Sequence, residues 1–263
     1  MAATIKRNYG KGKDGKKLPS VTEILGNLGW KYQVLIHWAN KVGRQGLTVR
    51  EASGDAAKVG NIAHDRIEAF VLGKVFERTN EAQDLWDRST VAFESFKDWW
   101  HSENMSGRIE VIETECLMSD PEAGFGGTAD LICLLDGVPA ILDYKTGSGI
   151  YPEVAVQLEA YADLWQTVGC VHKELSDGTP ISEEGQRNRK ACGEILRTGV
   201  IHCPADGRKT QMLEIPAETR QTAGQIWDSL LTMEALKTGY SDFGDWLKHQ
   251  TAKPDEPEPK VPF

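Results

Sequence analysis

Asp136-Gly137, set between two apolar runs, is the feature that most narrows what this chain can fold into. Before it stands Gly126-Gly127-Thr128-Ala129-Asp130-Leu131-Ile132-Cys133-Leu134-Leu135. After it stands Val138-Pro139-Ala140-Ile141-Leu142-Asp143-Tyr144-Lys145-Thr146-Gly147. An Asp-Gly pair so flanked is the strongest short-range signal for a two-residue turn between antiparallel strands. If Asp136 and Gly137 form the turn, Leu135 faces Val138, and counting outward sets Asp130 opposite Asp143. Opposed residues on one sheet face have Cβ atoms about 5 Å apart, and like charges there repel. An apolar hairpin that opposes two carboxylates needs a shared proton or a cation between them. Lys145, two residues beyond Asp143, projects from the same face.

An Asp-x-Lys strand with a second Asp across from it makes a small divalent-metal site with an ammonium alongside, an arrangement suited to phosphodiester cleavage. The plainer reading, a structural Asp143–Lys145 ion pair, leaves Asp130 as an unpaired acid.

Charge bears on what such a site could meet. The net charge of −9 looks wrong for a polyanion partner until it is divided. Residues 1–50 hold ten Lys/Arg and two Asp/Glu, a balance of +8, which leaves −17 for the rest. Asymmetry of this kind fits a basic arm that meets nucleic acid, or a solvated lead that binds nothing. The hydrophobic fraction of 40% and charged fraction of 26% are those of a globular domain. No apolar run reaches membrane-span length and no apolar signal core opens the chain, so a cytoplasmic protein without a membrane partner is expected (in a bacterium, or in the host cell if phage-encoded). Cys116 and Cys133 sit in strand-like runs and read as core thiols.

In chain order, residues 1–17 read as a flexible basic segment, 18–250 as a single domain, and 251–263 as a disordered Pro/acid-rich tail. Ser20 with Glu23 forms a capping box before an apolar run. Helical spacing resumes around Trp30, Tyr32, Leu35, Ile36 and Trp38, with Arg44 and Arg50 in the polar segment that follows. Residues 59–73 predict a helix with Ile62, Ile67, Phe70 and Val71 inward, Gly73 at its end, and His64 and Glu68 sharing a face. A second helix over 81–102 carries an aromatic stripe that suits a core. Residues 108–118 alternate as a strand, with Ile109, Val111, Glu113, Glu115 and Leu117 on one side. Acids among apolar residues are the anomaly there: either the strand edge is exposed, or Glu115 points at the Asp130/Asp143 site. Residues 151–168 return to helical spacing, with Gln157 and Tyr161 four apart. A long loop over 173–190, two strands near 194–202 and 209–215, and a last helix stopped by Gly239 complete the reading.

With these pieces placed, the chain resembles the PD-(D/E)XK nuclease superfamily, and within it the RecB-like branch of phage-type and mitochondrial exonucleases. The resemblance lies in Gly60-x-x-x-His64-x-x-x-Glu68, Glu115, Gly127-x-x-Asp130, Asp143-x-Lys145-Thr146-Gly147 and Gln157-x-x-x-Tyr161, in family order. The opening Leu18-Pro19-Ser20-Val21-Thr22-x-Ile24-Leu25 is similar to the start of such enzymes. It covers about residues 18–168. The resemblance implies an α/β fold with a restriction-endonuclease-like core, a central mixed β-sheet flanked by helices. It implies metal ligation by His64, Asp130, Asp143 and the Tyr144 carbonyl, with Glu115 direct or through water. Lys145 is then the catalytic lysine, and Asp130, Asp143 and Glu115 are the catalytic acids. Gln157 and Tyr161 orient the site or the strand, and Ser20, Thr22, Arg44 and Arg50 are candidates for DNA contact. Hard oxygen ligands with one imidazole suit Mg²⁺ or Mn²⁺, as one or two ions. The expected activity is a metal-dependent DNA exonuclease in recombination, repair or replication, with a single-strand annealing protein as a possible partner. A flap-type endonuclease or a non-cleaving DNA-binding subunit are the alternatives. No iron–sulfur cluster is expected, because Cys170, Cys192 and Cys203 lack the tight spacing of one. Cys170, His172, His202 and Cys203 match zinc spacing poorly.

Overall fold

The hairpin turns at Asp136-Gly137. Both residues adopt positive φ, 53° and 80°, as a type I′ turn requires to follow the right-handed twist of its strands. Leu135 pairs with Val138 and Leu131 with Leu142, so β2 (Phe125–Leu135) and β3 (Val138–Lys145) hold the register counted from the sequence. The computed structural model describes residues 8–251 apart from residues 31, 79 and 170–193, with side chains as far as residue 237. The loop expected over 173–190 and the tail beyond Thr251 lie outside the described residues.

The hairpin sits inside a mixed five-stranded sheet, completed by β1 (Ile109–Asp120), β4 (Arg197–His202) and β5 (Gln211–Glu214) in the order β1-β2-β3-β4-β5. β1, β2 and β3 form an antiparallel meander, β4 runs parallel to β3, and β5 returns antiparallel to β4. A parallel step needs a crossover connection, and α5 (Glu153–Thr167) lies within it. That crossover brings α5 across the sheet face next to Asp143 and Lys145.

Helices cover both faces. α1 (Val21–Leu25) starts at the expected capping box, with Ser20 Oγ accepting from Glu23 N and the Glu23 carboxylate accepting from Ser20 N. α2 (Tyr32–Arg44) follows a 3₁₀ turn. α3 (Val49–Val71) is ten residues longer at its start than its apolar pattern indicated, because Thr48 and Glu51 form a second capping box. α4 (Gln83–Ser102) and α6 (Ala217–Thr251) are the remaining α-helices among the described residues. α6 runs through Gly239 rather than stopping there; an interior glycine costs a helix about 1 kcal/mol and does not by itself end it.

One core lies between the sheet and α1, α5 and α6, where Ile132, Ile141 and Val200 meet Leu158, Trp165 and Leu230. Trp227 of α6 packs edge-on against Phe125 at 4.9 Å. The opposite core lies under α3 and α4, where Leu131, Leu142 and Tyr144 meet Ile67, Phe96 and Trp100. The aromatic stripe of α4 is thus core packing. No described helix is long and apolar enough to cross a membrane.

A charge network ties the hairpin tip to its neighbours. Arg108 donates from Nε and Nη2 to the two oxygens of Asp136, each at 2.9 Å. Arg197 reaches the same carboxylate at 3.4 Å and grips Glu214 at 2.7 and 2.8 Å. The Arg108 hydrogen bonds hold the Asp136 carboxyl down to about 2. A carboxylate depressed in the folded state stabilises above its unfolded pKa and loses that contribution as the pH falls through the folded value. Asp136→Ala is expected to lower the melting temperature at pH 7 by several degrees, through both charge and positive φ. Asp136→Asn keeps a residue that tolerates this backbone and should lose less. In both, the acid limb between about pH 4 and 2 should flatten in thermal melts; an unchanged limb would show the network contributes nothing.

Candidate metal centre

His64, Glu115 and Asp130 converge. One ligand atom from each lies within 4.8 Å of the others, with Asp130 buried and the other two half-buried. Each comes from a different element. α3 supplies His64, whose Nδ1 is 3.6 Å from Asp130 Oδ2. β2 supplies Asp130, whose Oδ2 also accepts from the Tyr144 backbone N–H at 2.8 Å. β1 supplies Glu115, by a route that strict alternation does not give. The β1–β2 register slips between Val111 and Glu113, and Glu115 takes φ 46°. A bulge re-aims a side chain and breaks the two-residue period. Hence Thr114, expected on the side away from the acids, donates to Glu68 of α3 at 2.7 Å.

Asp143 and Lys145 stand beside this group rather than in it. Asp143 is 2% exposed, and its Oδ2 lies 2.5 Å from Lys145 Nζ. Gln157 of α5 links them: its Nε2 donates to Asp143 Oδ1 at 3.3 Å and to the Tyr161 hydroxyl at 2.9 Å, and its Oε1 accepts from Lys145 Nζ at 3.3 Å. Gly127 allows this. A Cβ there would come within 2.6 Å of the Tyr161 ring, so the bare strand backbone lets α5 settle with Gln157 over Asp143.

The electrostatics record an excess of negative charge. Burial, with the Asp130 charge adding to it, pushes the Asp143 carboxyl up to about 6 against the opposing pull of Lys145 and His64. Burial alone would lower Lys145, but Asp143 and Asp130 outweigh it and hold the ammonium above its ordinary value. Burial and then the Asp143 charge raise the Tyr161 hydroxyl well above its usual range. Three acids, one lysine and one imidazole gather here. Two carboxylates and an imidazole at this spacing are a donor set that Mg²⁺ or Mn²⁺ accepts, and a group of this composition could hold a metal ion.

The other candidate residues fall around this centre. The Tyr144 ring turns into the core, edge-on to His64 at 5.6 Å and to Phe96 at 5.9 Å. Ser20 caps α1 and forms a bridge with Gly126, and Thr22 lies two residues on, its hydroxyl 3.1 Å from that of Ser20. Arg44 ends α2 and Arg50 lies in the first turn of α3; both are exposed and outside the described hydrogen-bond network of the centre. Tyr9, in the basic N-terminal segment, packs over Gly126 and shares a hydrogen bond with Thr128 at 3.2 Å. Of the poorer zinc set, Cys203 is a buried free thiol and His202 Nε2 lies 2.8 Å from the Gly147 carbonyl, while Cys170 and His172 lie outside the described residues.

Residue types alone do not indicate the bulge between Val111 and Glu113, the positive φ of Glu115 or the bond from Thr114 to Glu68. The one available signal was the pair of acids, Glu113 and Glu115, in an otherwise apolar strand.

Compared with known proteins, the sequence matches no family model and no curated protein. Fifteen solved chains are similar in structure. Among them is a crystal structure of a protein from Eubacterium rectale, provisionally termed an exonuclease, with a TM-score of 0.41 and 13% identity; the match covers 69% of this chain and 68% of that one.

Proposed function

We propose that this protein is a divalent-metal-dependent deoxyribonuclease of the PD-(D/E)XK type, acting as an exonuclease on DNA ends. The observation that carries the reading is the convergence of His64, Glu115 and Asp130 within 4.8 Å, beside the buried Asp143–Lys145 pair. His64, Glu115 and Asp130 would hold the ion, and Asp143 would join them by exchanging part of its contact with Lys145 for the metal. Bound there, Mg²⁺ or Mn²⁺ would supply Lewis acidity and a water of lowered pKa.

The chain's own residues carry the remaining work. Lys145 holds the attacking water or neutralises charge gathering on the phosphorus oxygens. Two acids keep it an ammonium, which favours charge stabilisation and water positioning over proton abstraction. Gln157 fixes the angle between Asp143 and Lys145, and Tyr161 fixes Gln157. Tyr144 uses its backbone N–H to orient Asp130. Exposed Lys11, Lys16 and Lys17, with Arg44 and Arg50, offer contacts to phosphates once the ion has offset the acids. A role in recombination or repair beside a strand-annealing protein accompanies this reading.

The test is digestion of end-labelled linear duplexes, blunt and tailed, with Mg²⁺, Mn²⁺ or EDTA. The expected result is metal-dependent release of mononucleotides from linear DNA and no cutting of closed circles. Cleavage of circles would replace the exonuclease with an endonuclease. Absence of cleavage with either ion, or equal cleavage in EDTA, would overturn the reading.

A further inference from the structure

Beside the Asp143–Lys145 pair lies an apolar surface that the described residues do not cover. Trp30, Tyr32 and Leu35 are 48%, 69% and 50% exposed, and α2 buries only Val42. These three side chains line a cavity of about 330 Å³ that Glu153 and Gln157 of α5 also line, with Thr22, Leu25 and Leu28. Gln157 is the residue that also touches Asp143, Lys145 and Tyr161. The cavity and the Asp143–Lys145 pair therefore share Gln157.

The lining narrows the occupant. Among the described residues the lining is mainly apolar and aromatic, and the charged side chain in it is the acid Glu153. Its volume is at the small end of the range of about 300–1,000 Å³ for ligand pockets, which suits one flat ring system better than a run of peptide. Aromatic walls accept any base, because every base has a π-face.

We propose that this cavity takes one unpaired nucleobase of the strand being cut, adjacent to the scissile phosphate and stacked on Trp30 or Tyr32. The inference rests on the nuclease reading. With the phosphate at the metal centre, the neighbouring base lies on the far side of Gln157, which then contacts both. A base must leave its duplex to enter, so the pocket selects tailed or frayed ends over blunt ones.

The test uses the full chain and tailed duplexes carrying 2-aminopurine at the terminal nucleotide, with Ca²⁺ replacing Mg²⁺ for the binding measurement. Saturable quenching is expected with the wild-type chain, with loss in Trp30→Ala and Tyr32→Ala and recovery in Trp30→Phe. In Mg²⁺, the alanine variants should raise KM for tailed DNA by about ten- to a hundredfold, on the scale of one lost base stack, with kcat nearly unchanged. An abasic terminal nucleotide should reproduce that loss in the wild type and add nothing in the variants. Full quenching in the variants, or losses that add, would overturn the pocket while cleavage by the wild type left the nuclease reading standing. Quenching without cleavage would keep the pocket and remove the nuclease reading. Neither quenching nor cleavage would overturn both, and a protein segment would become the better occupant.

Discussion

Lys145→Ala is expected to lower DNA cleavage by roughly 10²- to 10⁴-fold, the range for loss of one positioned proton-handling or charge-stabilising group. It should also change the pH dependence of stability, which a spectator lysine would not do. Asp143 is 2% exposed and its nearest cation is Lys145. Even with that cation present, burial pushes its carboxyl up to about 6. The folded chain therefore binds a proton more tightly than the unfolded chain between about pH 4 and 6, and stability falls as pH rises through that window. Without Lys145 the folded value climbs further and the falling limb extends to higher pH. Breaking a buried pair costs about 3–5 kcal/mol, but here the lysine is partly exposed and Asp143 can take up a proton. A loss of about 1–3 kcal/mol at pH 7.5 is the outcome to expect. Urea melts at pH 5 and 7.5 measure it, and Mn²⁺ should restore part of the loss at the higher pH. Lys145→Arg keeps a cation that does not deprotonate. Retained activity in that variant would assign Lys145 to charge stabilisation, and loss with normal folding would assign it to the proton. Wild-type cleavage by Lys145→Ala would remove the proposed chemistry.

Much of this centre was legible because strand register is arithmetic. Once Asp136-Gly137 fixes the turn, the facing of Asp130 and Asp143 follows from counting, and Leu131 pairs with Leu142 as the count requires. The same holds for Ser20 and Glu23, a local motif whose two hydrogen bonds form as written. What the sequence concealed depends on irregularity or on distant partners. The bulge between Val111 and Glu113 shifts one strand by one residue, Glu115 takes a positive φ further along, and no local propensity announces where a ladder will slip. The first ten residues of α3 carry almost no apolar period, and the capping box at Thr48 and Glu51 is their only marker. The spacing of Trp30, Tyr32, Leu35, Ile36 and Trp38 marks a helix, but periodicity does not show whether anything covers its apolar residues. Gly239 shows the reverse error: a residue read as a stop is carried through by the helix on both sides of it.

Phe96→Ala should produce the largest stability loss, about 3–5 kcal/mol as expected for removing a buried phenyl ring, and should weaken metal binding from a distance. Phe96 is fully buried on α4 and meets Trp99, Trp100 and Tyr144 with ring centroids 5.7, 5.5 and 5.9 Å away. Tyr144 in turn sets its ring edge-on to His64 at 5.6 Å, while its backbone N–H holds Asp130. A cavity at Phe96 lets Tyr144 relax toward it, and both metal-facing groups rest on Tyr144. A donor set must be held to within a few tenths of an ångström to bind well, so looseness in the support reaches the ion. Phe96→Leu fills most of the volume and should recover much of the stability. Denaturant melts give the first quantity, and Mn²⁺ titration calorimetry well below the melting temperature gives the second. If Phe96→Ala lost its stability but bound Mn²⁺ as the wild type does, α3 alone would be holding His64. The line of packed rings from α4 to the centre would then be core and nothing more.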